Sequence, residues 1–277
     1  MTEPTLFAES GFRRLRIELA YDGTNYFGWG KQPDRRTIQE EVENALSTIS
    51  QVKIDSVVAG RTDAGVHAIG QVIHVDVPED LKIEDLVFKL NRILDQDIRI
   101  HKIDLAEPGF HARFSALRRH YIYKIVDDNQ VVAPLMRLDV APWYRTLDLD
   151  LMNQASQLLL GENDFFAFCK FRESSTTIRT LERFDWMRNE DGVLVANVIA
   201  DAFCYSMVRN LVGAVACVGE GRFPPSWITS VLANAERISD GMVFPARGLT
   251  LKSVDYPPAD QLMARIESTL RRRGDEE

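Results

Sequence analysis

A chain of 277 residues has room for one large domain or two ordinary ones, and 45% hydrophobic with 27% charged residues excludes disorder as its main state. The net charge of −8 argues, taken alone, against a nucleic-acid binder. That charge is uneven, however: residues 99–124 carry Arg99, Lys102, Arg113, Arg118, Arg119 and Lys124 against only Asp104 and Glu107, and 167–188 are also net basic, so a basic groove on an acidic body remains open. No apolar run reaches the roughly 18 residues of a membrane span, and the N-terminus has no signal-peptide core. Cys169, Cys204 and Cys217 form no CxxC pair, so the expectation is no disulfide framework and a reducing cytoplasm.

In chain order, Arg14–Tyr21 alternates with Leu15, Ile17, Leu19 and Tyr21 on one face, a strand. Thr37 with Glu40 reads as a capping box opening a helix whose stripe is Ile38, Val42, Ala45, Leu46 and Ile49. A short strand near Ile54–Ala59 and a glycine-punctuated loop follow. Then come a strand with Ile73, Val75 and Val77 on one face, a helix carrying Ile83, Leu86, Val87, Leu90 and Ile93, and a strand Ile98–Ile103. The order β-α-β-β-α-β is that of a ferredoxin-like unit.

The second half repeats the order. A strand His120–Val126 is followed by a helix near Leu149–Leu160, and strands Leu181–Arg188 and Val193–Phe203 flank the turn Asn189–Gly192. A helix from Tyr205 to about Val218, a short one after Ser226 and a strand Gly248–Tyr256 complete it, while 1–12 and about 265–277 read as loose ends. The fold class expected is α+β: two ferredoxin-like, RRM-like halves with antiparallel sheets forming a central cleft, residues 1–115 and 116–277. Two unrelated α+β domains are the plainer reading of the same order. The RRM sequence signature is absent from both halves.

Zinc motifs are missing, and Val66 stands where a phosphate-binding loop needs lysine, so neither a metal nor a nucleotide cofactor is implied. The densest cluster of unusual residues is Gly60-Arg61-Thr62-Asp63-Ala64-Gly65-Val66-His67-Ala68, between two strands. By itself Asp63 suits either an Asx turn or a carboxylate displayed on a tight loop beside an arginine. On strand 120–126, Tyr121 and Tyr123 share a face by parity, so the residues leave open which is structural.

This nine-residue motif resembles that of the TruA family, tRNA pseudouridine synthases. Tyr21-Asp22-Gly23-Thr24 with Tyr26, Gly28 and Trp29, then His111–Ala116 with Tyr121-Ile122-Tyr123, are similar to further family motifs in order. So are Gly161–Phe165, Met207–Asn210 with Gly213, and Gly248-Leu249 leading to Val254-Asp255-Tyr256, so the likeness spans about 14–257. Gly30, Asp201, Tyr205-Ser206 and Thr250 depart from the usual pattern.

The resemblance implies isomerisation of uridine to pseudouridine at positions 38, 39 and 40 of the tRNA anticodon stem-loop. Asp63 would be the nucleophile, Arg209 its charge partner and Tyr121 the residue stacking on the base. It also implies substrate contacts from Arg61, Leu249, His67 and Arg113, although residues such as His67 and His111 more often serve structural roles. No cofactor or metal, a tRNA partner, a homodimer, a cytoplasmic location and neither membrane nor DNA binding complete the expectation. Two other classes fit less well. A catalytically silent RNA-binding or chaperone module leaves an Asp63–Arg209 pair without purpose, and a carboxylate hydrolase lacks a second acid beside Asp63.

Overall fold

The computed structural model describes residues 6–128, 130–170, 176–233 and 243–274. Arg172 of the second basic stretch and the acidic end 275–277 lie outside the described residues. In chain order the elements are β1 Phe12–Tyr21, α1 Ile38–Ser50, β2 Ser56–Val58, β3 His67–Pro78, α2 Leu86–Ile93, β4 Ile98–Leu105 and β5 Arg118–Val126. There follow β6 Ala141–Pro142, α3 Leu149–Gln157, β7 Gly161–Asp164, β8 Ile178–Arg188 and β9 Leu194–Ala200. Last come α4 Met207–Gly219, α5 Trp227–Ala233, β10 Leu249–Asp255 and α6 Leu262–Gly274. The chain divides into two compact units: one runs to Leu117 and resumes at Lys252, the other is Arg118–Leu251. The chain therefore changes unit twice, whereas the sequence reading has one boundary at 115/116.

In the first unit the strands lie in the order β4-β1-β3-β2, antiparallel throughout. Leu15, Ile17 and Leu19 of β1 and Ile73, Val75 and Val77 of β3 are fully buried, as are Ile38 and Val42 of α1 and Leu86 and Leu90 of α2. That is the outcome expected when period-two and period-3.6 apolar faces meet. In the second unit the order is β5-β9-β8-β7, antiparallel, with the two-residue β6 parallel on β5. Its α4 is buried on nearly every side from Leu211 to Gly219, which its all-apolar composition dictates. Among the described residues no helix is long and apolar enough to cross a membrane, and no group of three His, Cys, Asp or Glu could hold a metal ion.

Four local expectations are corrected. Thr37 precedes α1 but its side chain makes no capping hydrogen bond, and its hydroxyl is buried without a partner among the described residues. The helix is capped from elsewhere: the amides of Ile38 and Gln39 donate to the carbonyls of Gly28 and Trp29, at 3.2 and 2.9 Å. The C-terminal stretch expected to be loose forms α6, with Leu262 and Ile266 buried and Arg265 and Thr269 donating to the carbonyls of Ala116 and Phe114. Strand β3 is not half-buried: Val72 and His74, alternating with its core face, are buried too. Finally, Cys169 and Cys204, expected unpaired, are joined as a disulfide with Cα atoms 5.7 Å apart. A 35-residue separation gives no spacing signal, and only the folded second unit brings the pair together.

His74 is buried beside a polar knot. Arg14, itself buried, holds Asp76 with two bonds of 2.8 and 2.9 Å and donates to the Phe110 carbonyl at 3.1 Å. His74 Nδ1 accepts the amide of Ala112 at 3.0 Å, and His111 Nδ1 accepts those of Arg113 and Phe114 at 3.3 and 3.1 Å. The two imidazole rings lie 4.8 Å apart, edge to face. A ring nitrogen accepts an N–H only when unprotonated, so this turn requires neutral histidines. Burial first, then the Arg14 charge, pushes His74 down to about 2 from 6.5 and His111 down to about 4, with Asp76 opposing the shift at His111.

Both histidines thus hold fewer protons folded than unfolded below pH 6.5, and stability is lost as pH falls through that value. Urea denaturation should show a loss of roughly 2 kcal/mol per histidine between pH 7 and pH 5. His111→Asn, which retains an acceptor that cannot protonate, should flatten that slope by about half. An unchanged slope would show that these histidines are not buried neutral.

Candidate functional site

The sequence-predicted residues divide between the two units: Arg61, Asp63, His67 and Arg113 in the first, Tyr121, Arg209 and Leu249 in the second. In the first unit the loop between β2 and β3 is held along its length by buried groups. The Gly60 carbonyl accepts from Gln71 Nε2 at 2.9 Å, and Thr62 Oγ1 shares a 2.8 Å hydrogen bond with the Tyr21 hydroxyl. The Thr62 carbonyl accepts the Trp29 amide at 3.0 Å, the Tyr26 carbonyl accepts the Gly65 amide at 3.3 Å, and Val66 N–H closes a turn onto the Asp63 carbonyl at 3.1 Å. Asp63 therefore stands on a turn fixed immediately before and after it, with its side chain half-buried.

Two glycines make that packing possible. A Cβ on Gly23 would lie 2.0 Å from the Val66 carbonyl oxygen, and one on Gly28 would lie 2.8 Å from the Thr62 oxygen. Gly28 also has φ +90°, a conformation that side chains resist. The Tyr21 phenol, 4% exposed, is pushed up to about 12 by burial and stays protonated as part of the support. His67 is buried, and its Nδ1 accepts the Gly23 amide at 3.1 Å, a structural contact inside the same loop pair. Arg61 is exposed, its side chain passing 3.6 Å from where a Cβ on Gly30 would sit. Arg113 is also exposed, its guanidinium 5.6 Å from the Phe114 ring centre, on the turn that His74 and His111 hold.

In the second unit, Tyr121 and Tyr123 on β5 separate by environment. Tyr123 is fully buried, its hydroxyl donates to the Pro245 carbonyl at 2.6 Å, and burial drives its phenol upward. Tyr121 is 8% exposed, with its ring edge-on to Phe203 at 5.1 Å. Arg209 lies in the first turn of α4 and donates through Nε to the Phe244 carbonyl at 2.7 Å, while its own carbonyl accepts the Phe244 amide at 3.2 Å. Segment 244–248 thus links Arg209 to Tyr123, since Gly248 is packed so tightly on the Tyr123 ring that a Cβ would fall 2.7 Å from it. Leu249, next in chain, is 6% exposed at the start of β10.

Departures from the expected motifs also have local roles. Asp201 Oδ1 accepts the amides of Thr180 and Ala202 at 3.0 and 2.7 Å. Sequence reasoning missed Gln71, Phe244 and Pro245. The first is a fully buried amide between the apolar residues Ile69 and Val72 of β3, which local sequence shows only as one polar residue in an alternating strand. The other two contribute backbone carbonyls and carry no signal.

The sequence matches the PseudoU_synth_1 family, tRNA pseudouridine synthase, over residues 19–115 and 155–257. The chain belongs to this family. It is 51% identical over 260 residues to tRNA pseudouridine synthase A of Frankia casuarinae, covering 94% of this chain and 95% of that one. It is also 51% identical over 263 residues to tRNA pseudouridine synthase A of Streptomyces griseus subsp. griseus, covering 93% and 92%. A chain of a solved Cbf5-Nop10-Gar1 complex is 11% identical with a TM-score of 0.35, covering 86% of this chain and 58% of that one, a likeness too distant to add to the case. The family match reaches into both units: the Asp63 loop, Arg209 and Leu249 fall within it, and Tyr121 lies between its two matched ranges.

If the Gly28 contact sets the position of Asp63, Gly28→Ala should lower the single-turnover rate by about 100-fold, as an ångström-scale misplacement does, while circular dichroism stays native. A rate within twofold of wild type would remove Gly28 from the support.

Proposed function

We propose that this enzyme isomerises uridine to pseudouridine at positions 38, 39 and 40 of the tRNA anticodon stem-loop, with Asp63 as nucleophile and no cofactor. One observation carries the reading: an aspartate on a turn held by Gln71, Tyr21, Trp29 and Tyr26, inside the matched family region. The reaction breaks a C–N glycosidic bond, turns the base and forms a C–C bond, so it needs no external reactant. A carboxylate supplies the temporary bond to the nucleotide and then leaves.

On this reading the guanidinium of Arg209 keeps Asp63 ionised and oriented, because a carboxylate in a dry pocket otherwise takes up a proton. Tyr121 stacks on the base and Leu249 packs against it. Arg61, Arg113 and His67 serve the RNA, the two arginines through phosphates or the gap left by a flipped nucleotide. Each unit is one ferredoxin-like half. The order β4-β1-β3-β2 in the first and the run β5-α3-β8-β9-α4-β10 in the second support that assignment. The enzyme acts as a cytoplasmic homodimer on tRNA, read mainly by shape, backbone and 2′-hydroxyls.

Tritium release from tRNA carrying [5-³H]uridine tests the reading. Wild type should release tritium with RNA mass unchanged, and Asp63→Ala should fall to background. Asp63→Asn should bind tRNA with unchanged Kd yet form no pseudouridine. Tight binding with no release from wild type would favour the silent RNA-binding module, and free uracil would favour a hydrolase. Affinity should also fall by at least about tenfold between 50 and 200 mM salt, since phosphate contacts release counterions.

A further inference from the structure

The disulfide between Cys169 and Cys204 sits where it bears on Arg209. Cys204 lies in the connection from β9 to α4, and that connection contains Ser206 at φ +62°, a left-handed backbone that a non-glycine residue holds only when its surroundings enforce it. Segment 168–170 supplies that enforcement. The Lys170 amide donates to the Tyr205 carbonyl at 2.9 Å, Asn210 Nδ2 donates to the Phe168 carbonyl at 2.7 Å, and the Cys169–Cys204 bond ties the same two stretches covalently. Arg209 follows Ser206 by three residues, so these three ties fix the turn from which its guanidinium projects. The Cα atoms of the two cysteines lie 5.7 Å apart, within the span a disulfide bridges. Both cysteines are nearly buried, Cys204 at 8% beside the exposed Tyr205 and Cys169 at 3%.

We propose that Cys169 and Cys204 are a reversible thiol–disulfide site whose oxidation fixes the Arg209 turn and whose reduction loosens it. The partner is a low-molecular-weight disulfide. The Cys204 thiolate attacks one of its sulfurs, forming a mixed disulfide and expelling one small thiolate. The Cys169 thiolate then attacks the Cys204 sulfur and expels the second. The two cysteines lose two electrons and two protons, and these leave as two small-molecule thiols. Excess thiol runs the sequence backwards. In a reducing compartment such a pair is a poised switch rather than a permanent staple. Two hydrogen bonds persist when the sulfur bond opens, so the effect is graded.

This inference rests on the proposed role of Arg209. The full chain, equilibrated across ratios of reduced to oxidised glutathione, is acid-quenched, denatured and alkylated, and its cysteine peptides are weighed. Cys169 and Cys204 should pass together from alkylated to protected as the buffer becomes oxidising, with Cys217 alkylated throughout. In the same samples the oxidised chain should have kcat about threefold above the reduced chain, with Kd for tRNA unchanged. Cys169→Ser and Cys204→Ser should each hold the reduced rate at every ratio, whereas Cys217→Ser should keep the response. Three cysteines alkylated at every ratio would overturn the site, and a disulfide that forms without moving kcat would overturn its link to Arg209. Should neither form make pseudouridine, the functional reading fails, while the alkylation pattern still decides whether the disulfide forms.

Discussion

The Gly28–Trp29 peptide segment is the point on which the first unit's site depends. Its two carbonyls accept the opening amides of α1, and its Trp29 amide donates to the Thr62 carbonyl. One short piece of backbone therefore caps a helix and anchors the turn carrying Asp63. The arrangement tolerates no side chain at Gly28, because a Cβ would meet the Thr62 carbonyl oxygen within 2.8 Å. Trp29 itself is fully buried, which fixes the segment against the core. A helix, a core residue and the turn that carries Asp63 are coupled through three hydrogen bonds, so that turn inherits the rigidity of the helix.

The same device, a turn tied down by its polar neighbours, recurs with different chemistry under two arginines. Arg113 projects from a turn whose amides end on two neutral imidazoles. Arg209 projects from a turn tied to segment 168–170 by two hydrogen bonds and a disulfide, and its Nε is spent on the Phe244 carbonyl. Under Arg113 the two imidazoles that do the holding are buried, where a missing partner costs most and a satisfied one specifies most. The histidines are constrained further, because they hold only while neutral, and burial beside Arg14 keeps them so.

The family match takes in residues of both units. Asp63 comes from one unit, while Tyr121, Arg209 and Leu249 come from the other. On the proposed mechanism neither unit suffices, since a carboxylate without its cation protonates in a dry pocket and a cation without its carboxylate has no nucleophile to orient.

Much of this was legible in the residues. Periodicity alone places β1, α1 and β5 to within a few positions, because core-facing side chains must repeat every two or 3.6 residues. The motif Gly60–Ala68 and its companions carried the family, since residues that serve chemistry are constrained in identity as well as polarity. What the tertiary structure decided are the long-range pairings. Thr37 looked like a helix cap, but the carbonyls of Gly28 and Trp29 took that place. Tyr121 and Tyr123 were equivalent by parity until the Pro245 carbonyl claimed the Tyr123 hydroxyl. The cysteines looked unpaired until the second unit brought Cys169 to Cys204. Local sequence records the periodicity and chemistry of each segment. It does not record which backbone carbonyl or which distant sulfur will arrive beside it, because that is settled only when the chain closes on itself.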